Sequence, residues 1–188
     1  MGDLILKPLN ALAGAAPVRV AIGTVDIAER PEVALASLAC RRGQAPAVVA
    51  AALAIGLSLP GPGKASAGVP FSALWLGPEQ WLVMADNTTH EDIATILAAA
   101  FGQSASITEQ TGGWLCLDLR GPDLPRLFEI LCPLDTRAMQ PGSGTRTVIE
   151  HLGCYVICLA PDQFWLFGPR SSALSLHHAL VTAARAIA

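Results

Sequence analysis

Two segments of the chain consist of apolar runs broken by a short polar turn, and this pattern predicts a pair of β-hairpins. Residues 71–84 read FSALWLGPEQWLVM, and residues 155–167 read YVICLAPDQFWLF. In each, a Pro–acid–Gln triplet separates the apolar runs, and proline favours the second position of a tight turn between strands. Because seven of the ten aromatic residues lie in these two segments, the hairpins hold most of the bulky side chains available for a core.

The two hairpins align with each other at an offset of 83 residues, which indicates an internal repeat. Residues 78–81 then match residues 161–164, and Thr88 falls on Ser171. A helix is predicted after each hairpin, because apolar residues recur there at helical spacing. The two stripes are Ile93, Ile96, Leu97, Ala100 and Phe101, and Ala173, Leu176, Leu180, Ala183 and Ile187.

Each of these two helices has a candidate cap at its start. Thr88 and Glu91 have the spacing of a capping box, in which each side chain bonds the other residue's backbone amide. Ser171 or Ser172 is placed to cap the second helix. We therefore expect the first helix to begin close to Glu91 and the second close to Ser172.

Upstream of the hairpins the repeat continues at an offset of 78, where Arg42 and Gly43 match Arg120 and Gly121. Each pair precedes an apolar helix, and Pro122 suits the first turn of the later one. The earlier helix is predicted over residues 45–57. The later one has an apolar face made of Leu124, Leu127, Phe128, Leu131 and Cys132.

Together these elements predict an α+β fold. Alternation over residues 114–119 predicts a half-buried strand, so each half of the chain contains strand, helix, hairpin and helix in the same order. Antiparallel hairpins with helices on one face favour two ferredoxin-like β/α halves related by internal duplication. We predict the halves to be residues 1–102 and 103–188, joined in one compact unit, with residues 1–58 only loosely placed.

Composition limits the class of protein. Apolar residues make up 52% of the 188 residues, charged residues only 14%, and the mean hydropathy is +0.47. Such a chain is too apolar to be intrinsically disordered, and a net charge of −3 argues against a nucleic-acid binder. Alanine, with 32 residues, accounts for part of the hydropathy. The low charge otherwise indicates a surface that a partner covers.

Neither a membrane nor a secreted location is expected. The best apolar run, residues 45–57, is shorter than the ~20 residues that a spanning helix needs, and it contains Pro46. The first basic residue is Lys7, so the N-terminus is a poor match to a signal peptide. The five cysteines are an odd number without a C-x-x-C pair, which is typical of reduced thiols in the cytoplasm.

No residue pattern predicts a catalytic site. Cys154 and Cys158 lie near His151, but without a ligand-spacing pattern buried core cysteines are favoured over a metal site. The loop at residues 59–68 lacks the serine or threonine that should follow Lys64 in a phosphate-binding loop. A Cys–His nucleophilic pair has no local signature. We therefore expect no catalytic, cofactor-binding or metal-binding residue in this chain.

Three segments resemble motifs of one known family, the gamma subunit of heterotetrameric sarcosine oxidase. Residues 73–84 (ALWLGPEQWLVM) resemble its aromatic hairpin, and residues 119–135 (LRGPDLPRLFEILCPLD) resemble its helix segment. Residues 168–171 (GPRS) are similar to its Arg-Ser step before the last helix, although the family usually has an aromatic where Ser172 stands. The matching motif residues, which are also candidate interface residues, are Trp75, Gly77, Pro78, Trp81, Arg120, Gly121, Pro122, Cys132, Pro133, Leu134, Asp135 and Arg170.

This resemblance implies a fold similar to the folate-binding domain of aminomethyltransferases and a role in oxidative demethylation of sarcosine. That reaction yields glycine, hydrogen peroxide, and formaldehyde or methylene-tetrahydrofolate. The family's alpha and beta subunits carry NAD, FAD and covalent FMN, and its delta subunit carries zinc. For this chain the resemblance implies a structural subunit with alpha, beta and delta partners and no cofactor of its own.

Two other functions stay open at this point. One is a separate folate-binding module of the aminomethyltransferase type, and the other is a thiol-dependent enzyme that uses Cys132 or Cys116. Trp75 and Trp81 flank one hairpin turn, where they fit either an interface or an ordinary hairpin core. If the chain is a subunit, the isolated chain should expose an apolar patch of several hundred Å² or bury it in a homodimer.

Overall fold

A computed structural model describes residues 9–188. The segment around Lys7, on which the expectation about a signal peptide rests, lies outside the described residues. The helices are α1 (Ala45–Ala54), α2 (Ile93–Phe101), α3 (Leu124–Leu131) and α4 (Ala173–Ile187). The strands are β1 (Arg19–Ile22), β2 (Val25–Glu29), β3 (Val33–Cys40), β4 (Ala65–Ser66), β5 (Ser72–Gly77), β6 (Gln80–Asp86), β7 (Ala105–Glu109), β8 (Trp114–Arg120), β9 (Gly144–Ile149), β10 (Leu152–Ala160) and β11 (Gln163–Pro169).

The strands form two antiparallel sheets, with orders β4-β5-β6-β3-β7 and β1-β2-β8-β11-β10-β9. The first sheet contains the ferredoxin-like β-α-β-β-α-β series β3-α1-β5-β6-α2-β7, which we call the first unit. The second unit is built in the same way from β8, α3, β10, β11 and α4. The predicted α+β class with two ferredoxin-like units is therefore confirmed.

The final strand of the second unit is β2, which comes from the start of the chain. It pairs with β8 in the position that β7 occupies beside β3 in the first unit. The C-terminal Ala188 lies close to Gly23, so α4 ends beside the point where β2 begins. The predicted boundary between residues 102 and 103 separates the two copies of the sequence repeat, but it does not separate the sheets. β2, which precedes the boundary, pairs with β8 of the second unit, and β7, which follows it, pairs with β3 of the first unit.

Both hairpins contain the same irregularity, which supports the internal duplication. The register shifts between Trp75 and Gly77 in the first hairpin and between Cys158 and Ala160 in the second. These positions are related by the predicted offset of 83. The duplicated sequence therefore repeats its backbone geometry down to a single bulge.

The upstream alignment differs from the one predicted. Gln80 pairs with Ala39 of β3, whereas its counterpart Gln163 pairs with Arg120 of β8. The equivalent of Arg120 is thus Ala39, at an offset of 81, and the predicted match of Arg120 to Arg42 at an offset of 78 is wrong. An Arg-Gly pair recurs close to the end of each strand, but at different register positions.

The helix starts also differ from prediction. Thr88 and Glu91 do not form a capping box, because the amide and hydroxyl of Thr88 both donate to the carboxylate of Asp86. α2 consequently begins later, at Ile93. α4 follows Ser172 as expected, but no serine side chain caps it. In α3 the proline of the first turn is Pro125, and Pro122 lies in the preceding turn.

The molecule has four layers, because the sheets pack face to face with helices outside. Between the sheets, Leu74, Leu82 and Met84 of the first unit contact a cluster that includes Ile157 and Phe167 of the second. One outer core joins the first sheet to α1 and α2, and another joins the second sheet to α3 and α4. Each sheet therefore buries both faces, with its helices on one of them as predicted. No helix within residues 9–188 has both the length and the apolar content that a membrane crossing requires.

Candidate functional site

The first hairpin places its two tryptophans on the side of the sheet that faces the helices. Trp75 and Trp81 lie directly opposite each other in the strand register, so their side chains share this face. Trp81 is half-buried against the outer core, and its indole N–H donates to the carbonyl of Pro60 at 2.8 Å. Gly77 lies at the bulge and Pro78 is exposed in the turn. Trp81 therefore serves the core of the hairpin.

Arg120 and Gly121 close the end of β8. The guanidinium of Arg120 donates two hydrogen bonds to the carboxylate of Asp118, at 3.0 and 2.9 Å. Gly121 approaches the backbone of Thr24 so closely that a β-carbon would lie 1.9 Å from the Thr24 carbonyl oxygen. Pro122 is exposed in the following turn. Gly121 therefore lets the loop before β2 pack closely against the end of β8.

The remaining motif residues lie after α3 and before α4. Leu134 and Cys132 are half-buried against the core of the second unit, and Pro133 between them is exposed. Asp135 accepts hydrogen bonds from the backbone amides of residues 137 and 138, which shapes a turn. Arg170 donates to the carbonyl of Leu9. The predicted interface residues are thus spread over three places rather than brought together in one.

All five cysteines are free thiols. Cys154 and Cys158 lie on β10 in the core facing the helices, as expected for structural cysteines. Burial raises the pKa of Cys154 to about 11 and that of Cys116 further still, which disfavours the reactive thiolate. Within residues 9–188, no three His, Cys, Asp or Glu side chains come close enough together to hold a metal ion.

A cavity of about 440 Å³ lies where the connection between β2 and β3 meets both sheets. Its polar lining includes Arg30 and Glu32 from that connection, Asp86 at the end of β6, His90 from the segment that follows, and Trp165 from β11. Small-molecule sites have volumes in this range and combine an apolar lining with a few polar groups. This cavity is therefore the candidate ligand site of the chain.

The charge of Arg30 is balanced inside the cavity wall. Its guanidinium lies 5.0 Å from the centre of the Trp165 ring, forms an ion pair with Glu32, and lies 3.8 Å from the carboxylate of Asp118. Asp118 is buried and also accepts a hydrogen bond from Gln163 at 2.9 Å. An anionic ligand would have to compete with two carboxylates for Arg30, so the site suits an uncharged flat ring better.

The titratable groups on the other side of the cavity, Asp86 and His90, are held by contacts with their own segment. Hydrogen bonds from the hydroxyl and amide of Thr88 lower the pKa of Asp86, which keeps this carboxylate ionised. His90 lies edge-on to Phe71, and its Nδ1 is 2.8 Å from the hydroxyl of Thr89. The indole N–H of Trp165 is buried and has no acceptor among the described residues.

Sequence reasoning missed the central pair of this cavity, Arg30 and Trp165. Trp165 was visible only as part of an aromatic hairpin, and Arg30 lies in the N-terminal region that periodicity placed loosely. The available signal was the Arg–Pro–Glu triplet at residues 30–32, since opposite charges flanking a proline are conspicuous in a chain with 14% charged residues.

Comparison with known proteins gives similarity at the level of structure. No family model and no curated protein matches the chain. A chain of heterotetrameric sarcosine oxidase from Corynebacterium sp. U-96, solved in complex with pyrrole 2-carboxylate, superposes with a TM-score of 0.75 at 20% identity. The match covers 85% of this chain and 83% of that one.

A second similar structure is the glycine cleavage system aminomethyltransferase T from Bartonella henselae. Its TM-score is 0.61 at 14% identity, and the match covers 87% of this chain but only 50% of the aminomethyltransferase. Both structures agree with the resemblance seen in the sequence motifs. The chain therefore has the fold of one chain of a heterotetrameric sarcosine oxidase, and this fold also forms half of an aminomethyltransferase.

Proposed function

We propose that the chain is a non-catalytic, structural subunit of a heterotetrameric sarcosine oxidase complex, corresponding to its gamma subunit. In this proposal alpha, beta and delta chains hold the flavins, the nicotinamide cofactor and zinc, and they oxidatively demethylate sarcosine to glycine in the cytoplasm. This chain contributes no cofactor and no catalytic residue.

The observation that carries the proposal is the nearly complete reciprocal coverage with one chain of the heterotetrameric enzyme, 85% of this chain and 83% of that one. The aminomethyltransferase, in contrast, is matched over half of its length, so the unit there is part of a longer chain. A chain that matches most of a separate chain of a multisubunit enzyme is best explained as a subunit. The raised pKa of Cys116 argues against this residue as the nucleophile of the thiol-dependent alternative.

The test is co-expression with the alpha, beta and delta chains from the same source organism. We expect this chain to co-purify with them and the complex to produce hydrogen peroxide from sarcosine. A chain that elutes alone while the other three form an active enzyme would contradict the proposal.

A second candidate, a folate-binding module, is favoured by one observation. The cavity of about 440 Å³ is lined by Trp165, with the guanidinium of Arg30 beside its ring, and the pterin ring of a folate is flat and uncharged. Isothermal titration of the chain with tetrahydrofolate tests it. Binding that Trp165→Phe weakens and Trp75→Phe leaves unchanged would support this candidate, and no heat at high micromolar ligand would dismiss it.

A further inference from the structure

The outer surface of the first unit's helices, which we call the α1–α2 face, has no charged side chain. α1 contains only Ala, Pro, Val and Leu, and Thr95 is the one polar residue of α2. Large apolar side chains are nevertheless exposed on it: Leu53 is 72% exposed, Val49 50% and Ile96 39%. Exposed apolar surface of this kind in a folded domain marks an interaction site.

The equivalent helices of the second unit provide an internal comparison. α3 carries Arg126 and Glu129, and α4 carries His178 and Arg185, on surfaces that are exposed. Both helix pairs pack on a sheet in the same way, so packing alone does not require a charge-free outer surface. The charge-free outer surface of α1 and α2 is therefore not a requirement of their packing on the sheet.

A groove extends this face beyond the end of α1. It has a volume of about 350 Å³, and its walls include Val49, Leu53, Leu57 and Leu59. The loop containing Val69, which is 95% exposed, lies beside it, because Gly68 approaches the backbone of residue 56. A groove of this size accepts one bulky apolar side chain, the usual anchor of a protein–protein interface.

Charges border the face at its two ends. α1 and α2 run antiparallel, as shown by the 2.6 Å hydrogen bond from Arg41, just before α1, to Gln103, just after α2. Exposed Arg42 therefore lies at one end of the face, whereas Glu91 and Asp92 precede α2 at the other. A matching surface would carry an acidic group opposite Arg42 and a basic group opposite Glu91.

The area of the face argues against a second copy of this chain as the occupant. Helices of ten and nine residues are ~15 and ~14 Å long, and side by side they are ~20 Å wide, so the face covers ~300 Å². Two copies in contact would bury ~600 Å², about half of the ~1,200 Å² that a specific, stable interface needs. A larger chain can also cover the groove and the loop at Val69.

From these observations we infer that the α1–α2 face is the surface through which the chain binds a larger, different subunit. That subunit presents an apolar ridge with one bulky side chain in the groove, an acidic group at Arg42 and a basic group at Glu91. This inference rests on the proposed function, because it takes the partner to be a subunit of the same complex.

The test compares two matched substitutions, Leu53→Glu on the face and Leu174→Glu on α4. Both leucines are exposed, by 72% and 63%, so both variants should fold and melt like wild type. Binding to the co-expressed alpha, beta and delta chains is measured by biolayer interferometry. We expect Leu53→Glu to weaken binding by about tenfold or more and Leu174→Glu to change it less than about twofold. Ile96→Glu is a second variant on the face.

The outcomes separate this inference from the proposed function. Wild type that does not bind the three chains contradicts the proposed function itself. Wild type that binds, together with Leu53→Glu and Ile96→Glu that bind equally well, overturns only the assignment of the surface. Sedimentation of the chain alone provides the remaining check, because a stable dimer that Leu53→Glu dissociates would identify a second copy as the occupant and overturn the inference.

Discussion

Of the glycines in residues 9–188, Gly121 leaves the least space for a β-carbon. Its φ of +136° disfavours an L side chain, and the loop before β2 passes directly over its α-carbon. Gly43 also has a positive φ, of +77°, but a β-carbon there would meet nothing within 4 Å. Substitution of Gly43 therefore tests backbone strain alone, whereas substitution of Gly121 adds a steric clash with the loop before β2.

We predict that Gly121→Ala lowers the free energy of unfolding by ~3 kcal/mol or more, because the clash forces β2 away from β8. Gly43→Ala should cost only ~1 kcal/mol, the price of a non-glycine residue in the left-handed region. Urea denaturation of both variants measures the difference. Equal losses would mean that the loop before β2 moves aside freely.

His177 predicts a dependence of stability on pH. Burial lowers its pKa below the ordinary 6.5, with Glu29 opposing the effect, and its Nε2 has no partner among the described residues. Below pH 6.5 the unfolded chain takes up this proton more readily than the folded chain, so stability falls as the pH drops. We expect His177→Gln to lose less stability than wild type between pH 7 and pH 5. The same change at neighbouring His178, whose charge also lowers the pKa of His177, should reduce the wild-type slope only in part.

Among the elements, the hairpins and their following helices could be predicted because the signals are local. The Pro–acid–Gln turns and the helical stripes lie within about a dozen residues of one another, and the structure has strands and helices there. The capping box failed because Asp86, upstream of the pattern, competes for Thr88. β1 and β2 were not placed, since their position depends on β8, far away in the sequence.

Glu29 of β2 binds the segment that precedes β1 through hydrogen bonds to its backbone. Its carboxylate is buried and accepts hydrogen bonds from the amides of Leu12 and Val18, both at 3.1 Å. We predict that Glu29→Gln costs ~1–3 kcal/mol, because the amide keeps one acceptor and leaves a buried N–H unpaired. Hydrogen exchange at Leu12 and Val18 should become faster.

Glu109→Gln is the matched control for this prediction. Glu109 also accepts from two backbone amides, those of Gln110 and Thr111, but it is exposed and both bonds are local. Its substitution should change stability by less than ~0.5 kcal/mol. If both variants lose similar free energy of unfolding, burial of the Glu29 hydrogen bonds does not determine their contribution to stability.

At the scale of the whole molecule, the second unit depends on a strand from the opposite end of the chain. We predict that a chain lacking residues 9–29 leaves the edge of β8 unpaired and associates, because open edges pair with other strands. Light scattering after gel filtration measures this association. Adding a peptide of residues 9–30 should restore the monomer, whereas a scrambled peptide should not.

The candidate site could be anticipated less well than the fold. The cavity joins Arg30, close to the N-terminus, to Trp165, close to the C-terminus, and their contact exists only after the two sheets pack. Motif residues such as Cys132 and Arg170 carried the resemblance, yet the structure gives them positions in the framework. The low overall charge of the sequence did point to an uncharged surface, because neither α1 nor α2 contains a charged residue.

The position of β2, which comes from the start of the chain but completes the sheet of the second unit, also sets an order for folding on the ribosome. The first unit can complete its sheet as soon as β7 has been synthesised, because β3 to β7 are consecutive. β2 is synthesised before any of them, and its partner β8 begins only at Trp114. In the meantime β1 covers one edge of β2, with the Arg19–Asp26 ion pair on that ribbon. β2 is thus made early but waits for β8, so a nascent chain stalled before β8 holds a finished first unit beside a strand with one unpaired edge.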